Sequence, residues 1–380
     1  MKYLYLFLFA LTISSCNRAK YVEFNGTLTG IGDGAFVIKD MQGDQLLAAM
    51  VSGGTFHAKT LLPKPGFYDL FITPDLETDY KKKIYEVYLE GGTYTINADK
   101  DKLYLYPTIK SDSKTQNELS DFYSSSFPQI YAISEKEDSV SDMLYGKNTP
   151  VSMGTPEYAD LQKQYAAVFA QANAIQAKTL GDYVSKNPQN DIEAFLLAQI
   201  NYKKDASVFN AIYQKFTPEQ KNTNDGKAEG DELAQLMKLA PGAAAPKITG
   251  KTLDGKVFDP KAVSGKKVVL VEFWKASSQV CELNHLKLLK DFTYLLTNKD
   301  FTVISVSMDA KRDDWVNAIQ QQRLPWIQVS DLQGLSSLNM TNWAVSTIPT
   351  YDLVDGNWHM IKRDIDFANI SDTVEAALKK

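Results

Sequence analysis

Ser278 and Cys281 stand three positions apart where an apolar run gives way to a helical pattern. The run Lys267-Val268-Val269-Leu270-Val271-Glu272-Phe273 reads as a buried strand, and beyond it Leu283, Leu286, Leu289 and Phe292 recur at 3.6-like spacing. Two cysteines three apart at such a strand-to-helix turn could exchange a disulfide. The attacking group must be a thiolate, and a helix N-terminus lowers a thiol's pKa from ~8.5 to roughly 3.5–7.5 by pointing N–H dipoles at the sulfur. A serine hydroxyl in that place stays protonated and forms no disulfide. Cys281, about one turn into the helix, is then a resolving thiol with no mixed disulfide to resolve. A two-electron cycle cannot run within this chain.

No second thiol is at hand. The chain has 2 cysteines, and the other, Cys16, ends a different kind of segment. Lys2 is followed by an apolar stretch, Tyr3 to Ile13. It is shorter than the ~20 residues a membrane-spanning helix needs and reads as an export signal. Leu11-Thr12-Ile13-Ser14-Ser15-Cys16 resembles a bacterial lipobox, which implies cleavage before Cys16 and its modification by lipid, palmitate-type acyl chains included. More than one acyl chain gives stable anchoring. Cys281 would then be the only thiol of the mature protein, with no internal disulfide possible. A net charge of -5 shows no basic patch that would suggest nucleic acid. His57, His285 and His359 form no metal-ligand spacing and read as surface or packing residues. No cofactor and no metal are expected.

Three further regions position this turn, giving an α+β multidomain chain. Residues 1–15 are the signal and 16–20 a lipid-anchored tether. Residues 21–110 are β-rich: Tyr21–Phe24, Ala35–Ile38, Gly66–Ile72, Ile84–Leu89 and Thr93–Ile96 are short alternating runs between Gly, Asp and Pro turn signals, predicting a β-sandwich. Residues 111–238 read as a helical layer. Thr155 caps a helix with Pro156 at its first position, and Tyr158, Leu161, Tyr165, Val168, Phe169, Ala172 and Ile175 line one face. Pro188 ends that run. Helices are expected at 191–202, at 207–216 and from Pro218, with Asn222–Gly230 as a polar linker. Residues 239–380 form the last domain.

That domain resembles membrane-anchored thioredoxin-like proteins of the TlpA and ResA type. The motifs run in order: Ala240-Pro241-Gly242-Ala243-Ala244-Ala245-Pro246, Thr252-Leu253-Asp254-Gly255-Lys256, Phe273-Trp274, Val306-Ser307-Met308-Asp309, Trp315, and Thr347-Ile348-Pro349-Thr350-Tyr351. The resemblance implies a thioredoxin-like α/β fold and a cis-proline loop beside the active-site turn, able to accept an extended chain. Trp274, Ile348 and Pro349 are therefore the expected binding residues, with Trp274 on an exposed groove. Gly26-Thr27-Leu28, Gly53-Gly54-Thr55-Phe56 and Leu89-Glu90-Gly91-Gly92 resemble the β-domain that opens many such envelope lipoproteins.

The departures from the family fall at the chemistry. Ser278 replaces its nucleophile, Ser277 its tryptophan and Val280 its proline. Asn284 replaces a glutamate that moves protons for the resolving thiol, and an amide cannot titrate. The expectation is a periplasm-facing, lipid-anchored protein that binds or scaffolds an envelope protein or peptide without redox turnover. Two alternatives keep Cys281, with Ser278 the other of the two degenerate catalytic positions, as the catalytic thiol. One is monothiol disulfide exchange. The other is a peroxidase, since Ser278-x-x-Cys281 also resembles the Thr/Ser-x-x-Cys of peroxiredoxins. Against the peroxidase, Trp274 stands where that family has proline, and Ile348 and Pro349 occupy the ground of its activating arginine.

Overall fold

The computed structural model describes residues 20–73, 83–146 and 151–380. The signal and lipidation site at Met1–Cys16 lie outside the described residues. The chain divides at Pro128 into two compact units.

The first unit is built from β1 (Lys20–Thr29), β2 (Asp33–Asp40), β3 (Gln45–Ser52), β4 (Thr55–Leu62), β5 (Gly66–Thr73), β6 (Lys83–Leu89), β7 (Gly92–Asp99) and β8 (Thr108–Lys110). They hydrogen-bond in the order β6-β5-β2-β3-β4-β1-β7-β8. Only β1 and β7 run parallel. Phe24 on β1 and Phe36 on β2 lie three strands apart in this order, about 14 Å in a flat sheet. Their rings are 5.3 Å apart. The sheet therefore doubles over at the β3–β4 hairpin, where a single pair, Ser52↔Thr55, joins the halves. The result is a sandwich with Val22, Phe24, Phe36, Ile38, Leu70 and Ile72 buried inside it. Gly53 and Gly54 both have positive φ, 55° and 77°, the conformation a two-residue hairpin turn requires. Gly26 faces Phe56 in the register, and a Cβ there would lie 1.7 Å from its ring. Two of the three glycine-containing motifs thus have local structural reasons.

Helix α1 (Lys114–Tyr145) runs through the division at Pro128. In the second unit, α2 (Pro156–Lys186) starts where the sequence predicts, with Thr155 Oγ1 accepting from Tyr158 N at 3.2 Å. Then come α3 (Glu193–Ala198), α4 (Ala206–Tyr213), α5 (Pro218–Lys221) and α6 (Asn224–Met237). The expected linker at Asn222–Gly230 is mostly helix α6, capped by Thr223. Its glycine mimics a linker signal, yet Gly230 makes room for Tyr213: a Cβ there would meet the phenol oxygen at 2.1 Å. No helix among the described residues is long and apolar enough to cross a membrane.

The C-terminal sheet comprises β9 (Lys251–Thr252), β10 (Val268–Trp274), β11 (Phe301–Ser307), β12 (Ile327–Ser330), β13 (Thr350–Asp355) and β14 (Met360–Lys362). Its order is β14-β13-β10-β11-β12-β9. Strands β10, β11 and β12 are parallel, joined through α7 (Gln279–Lys290), α8 (Thr293–Leu296) and α9 (Arg312–Gln322). Helix α10 (Leu338–Asn342) precedes β13, and α11 (Ile370–Leu378) ends the domain. This is the thioredoxin-like arrangement. All seven residues of β10 are buried, so the strand is covered on both faces, as its apolar run implies. Val269, Val271 and Phe273 pack with Trp343 and Val354 on one face. Val268 and Leu270 pack with Leu288, Ile370 and Val374 on the other.

Candidate functional site at the β10–α7 turn

Chain direction at the turn is set by two caps. Ser278, at φ -90° and ψ 112°, is the N-cap of α7, and its Oγ accepts from Cys281 N at 3.3 Å. Ser278 thus satisfies a backbone donor that the helix leaves orphaned. Upstream, Ala276 N donates to Asp309 Oδ2 at 3.0 Å, and Ser307 Oγ donates to the same oxygen at 2.8 Å. Asp309 is nearly buried at the end of β11 and ties the turn to the neighbouring strand.

Cys281 is 1% exposed and packs with Trp274, Trp315, Ala318, Ile319 and Leu324. Burial, reinforced by the nearby Glu272 carboxylate, pushes its thiol pKa up to about 11, against the opposing pull of the Ser278 hydroxyl. Desolvation outweighs the helix N-terminus here, and the group is a thiol at neutral pH. The helix presents a different face from its leucine stripe. Cys281, Asn284, His285 and Leu288 are buried, while Leu286 is 60% exposed.

The reason is a polar row beneath α7. The register aligns Tyr351 on β13, Glu272 on β10, Ser305 on β11 and Gln328 on β12 across four adjacent strands. All four are buried. His285 Nε2 meets Glu272 Oε2 at 2.9 Å, and His285 Nδ1 meets Gln322 Oε1 at 2.6 Å. Trp326 Nε1 donates to Ser305 Oγ at 2.7 Å, and Asn284 Nδ2 donates to Tyr351 Oη at 3.0 Å. Burial disfavours the imidazolium of His285, but the Glu272 charge and hydrogen bond, with Gln322, outweigh it and raise its pKa. Burial and then Glu272 drive the Tyr351 pKa well upward. His285 is therefore a buried packing residue, its ring centroid 4.9 Å from that of Trp274, that also carries hydrogen bonds at both nitrogens. With both ring nitrogens engaged, it is not placed to take a proton from Cys281.

The expected binding residues divide. Trp274 is 0% exposed, its indole enclosed in the Cys281 cluster, so it cannot line an exposed groove. It is the last residue of a strand covered on both faces, which is why an aromatic there turns inward. The Ile348–Pro349 peptide is cis, and both residues are half-buried. Phe273 pairs with Thr350, which brings the Ile348-Pro349 loop alongside the start of the turn, and Ile348 packs on the Cys281 cluster. Ser277, Ser346 and Thr347 are the exposed residues of these two loops. Cys16 lies outside the described residues. The signal for the missed polar row was Glu272 itself, one charge inside an otherwise apolar strand.

Residues 240–377 match the sequence model of the redoxin family. They are a redoxin domain. The match ends where the thioredoxin-like sheet and its helices end, and it leaves the β-rich and helical regions outside. No curated protein matches the chain. Among solved structures, this part of the chain is similar to a thiol:disulfide interchange protein from Bacteroides sp., at 31% identity over 38% of this chain and 93% of that one, TM-score 0.34. It is similar to the thioredoxin domain of a thiol-disulfide oxidoreductase from Bacteroides vulgatus, at 30% identity over 36% and 97%, TM-score 0.33. A thiol-disulfide oxidoreductase from Bacteroides fragilis is 25% identical over 35% and 98%, TM-score 0.33. The matched residues contain the β10–α7 turn capped by Ser278, the buried Cys281 and the cis Ile348–Pro349 peptide.

Proposed function

We propose that this chain is an envelope protein, exported by its leader and lipidated on Cys16, whose redoxin domain binds an extended segment of an envelope protein or peptide without redox turnover. The observation that carries this is the pairing of Ser278 and Cys281. The first is occupied as the cap of α7, and the second is a buried thiol with its pKa pushed up to about 11. An exchange enzyme needs an accessible thiolate with a lowered pKa, and both attributes are reversed. Binding falls to the exposed edge formed by Ser277, Ser346 and Thr347 around the cis-proline loop.

Affinity capture from envelope extract discriminates the readings. Partners captured by the wild type should persist with Cys281→Ser and be lost with Thr347→Arg. Partners that vanish with Cys281→Ser, or that migrate with the protein only on non-reducing gels, would instead establish exchange through Cys281. For the anchor, Cys16→Ala should move the protein from the membrane fraction to the soluble periplasmic fraction. A variant that stays in the membrane and resists salt extraction would count against lipidation.

A further inference from the structure

A pocket of about 1220 Å³ opens on the redoxin domain; neither Ser278 nor Cys281 lines it, although Trp315, which packs with Cys281, forms part of its wall. It lies between the β9 hairpin, the first turn of α9 and residues 330–332 at the end of β12. Ile248, Val257, Phe258, Trp315, Leu332 and Trp358 supply apolar wall. Val257 is 73% exposed. The polar lining is asymmetric. Lys247, Lys251 and Arg312 also line the pocket, and among the described residues none of the three has a carboxylate within ion-pair distance. The one hydrogen bond of the Arg312 guanidinium is a long one, 3.4 Å, to Leu253 O. The two carboxylates in the lining are engaged by neutral donors. Asp331 accepts from Thr249 Oγ1 at 3.1 Å and Ser337 Oγ at 2.6 Å, and Asp259 accepts from Lys261 N at 3.0 Å. Trp315 adds a second observation: it is 3% exposed, and its Nε1 has no hydrogen-bond partner.

We propose that this pocket binds an amphipathic monocarboxylate, its apolar body against the tryptophans and its carboxylate on Arg312 and Lys251. An apolar wall with a few convergent polar groups is the usual construction of a small-molecule site. Three free cations select for an anion, and Arg312 can take a carboxylate through two parallel N–H donors. A peptide strand fits less well. The outer edge of β9 is already occupied by its own hairpin, in which Lys251 bridges Val257 and Thr252 N bonds Lys256 O. This inference does not depend on the proposed binding at the cis-proline loop.

The test is titration of the full mature chain with dodecanoate below its micelle concentration, followed by calorimetry and by tryptophan fluorescence. The expected result is saturable one-to-one binding, with no binding of acetate, which lacks the body, or of dodecyltrimethylammonium, which inverts the head. The Lys251→Glu, Arg312→Glu double variant should bind at least tenfold more weakly with an unchanged melting temperature. If that variant fails to fold, Val257→Glu, at an exposed position, should show the same loss. Equal binding of the cationic amphiphile, or unaltered dodecanoate affinity in a folded variant, would overturn the proposal. Partitioning without saturation would mean non-specific adsorption and overturn it equally.

Discussion

Alkylation of Cys281 by iodoacetamide should be slow in the native protein and should quicken only at alkaline pH. A free thiol with a pKa of ~8.5 is about 10% thiolate at pH 7.5. With its pKa pushed up to about 11, Cys281 is about 0.03% thiolate at that pH, roughly a 300-fold smaller fraction. A more basic thiolate is also a better nucleophile, which returns about a factor of ten. Ionisation alone then leaves native labelling about 30-fold slower than in the same protein unfolded in urea. The 1% exposure of the residue slows it further. Burial is the larger cause and the Glu272 charge the second, so Glu272→Gln should speed native labelling only severalfold. Stopped-flow or mass-spectrometric labelling between pH 6 and 10 reads both numbers. Native labelling as fast as in urea, or a midpoint below pH 7, would refute the reasoning, because it would mean that the helix N-terminus dominates burial at this sulfur.

Ser278→Ala should destabilise the redoxin domain by about 1 kcal/mol, whereas Ser278→Gly should cost a few tenths, the signature of a lost N-cap. Denaturant titration followed by tryptophan fluorescence isolates this domain, since all 5 tryptophans lie in it. Asp352, fully buried with Oδ2 unpartnered, has its pKa raised to about 7 by burial, with Asp364 N and Arg363 opposing. A raised pKa gives stability that is present below the unfolded value near 3.9 and is lost as pH rises through about 7. Asp352→Asn, which keeps the Asp364 N–H···Oδ1 acceptor, should therefore raise the melting temperature at pH 8 and leave it nearly unchanged at pH 4. An equal shift at both pH values would contradict the assignment.

Much of the scaffold was legible in the residues because the relevant signals are local. Thr155-Pro156 announces a helix by capping chemistry, and Val268–Trp274 announces a buried strand by composition alone. Ser278 stands out in the residues because the resemblance implies a nucleophile there. Its role as the cap of α7 also has a local signal, a serine directly before a helix. What stayed hidden was set by register and tertiary packing. Strand β3, Gln45–Ser52, has only Val51 buried, so its alternation is faint. Helix α6 was obscured because Gly226 and Gly230 read as loop, whereas the contact with Tyr213 that calls for Gly230 comes from another helix. The inward face of α7 was misjudged for a similar reason. Its leucines suggest one stripe, but Glu272 in the strand below draws His285 inward and rotates the buried face onto Cys281 and Asn284. Trp274 was placed on the surface by resemblance, while the two-sided cover of β10 puts it inside.

The central claim is that the redoxin domain carries no dithiol chemistry, and insulin reduction with dithiothreitol as electron source tests it most directly. The lipid-free mature protein should precipitate insulin no faster than dithiothreitol alone, and Cys281→Ser should be indistinguishable from it. The Ser278→Cys variant should gain turnover, kept slow because Asn284 cannot move a proton. Turnover by the wild type that Cys281→Ser abolishes would contradict the account.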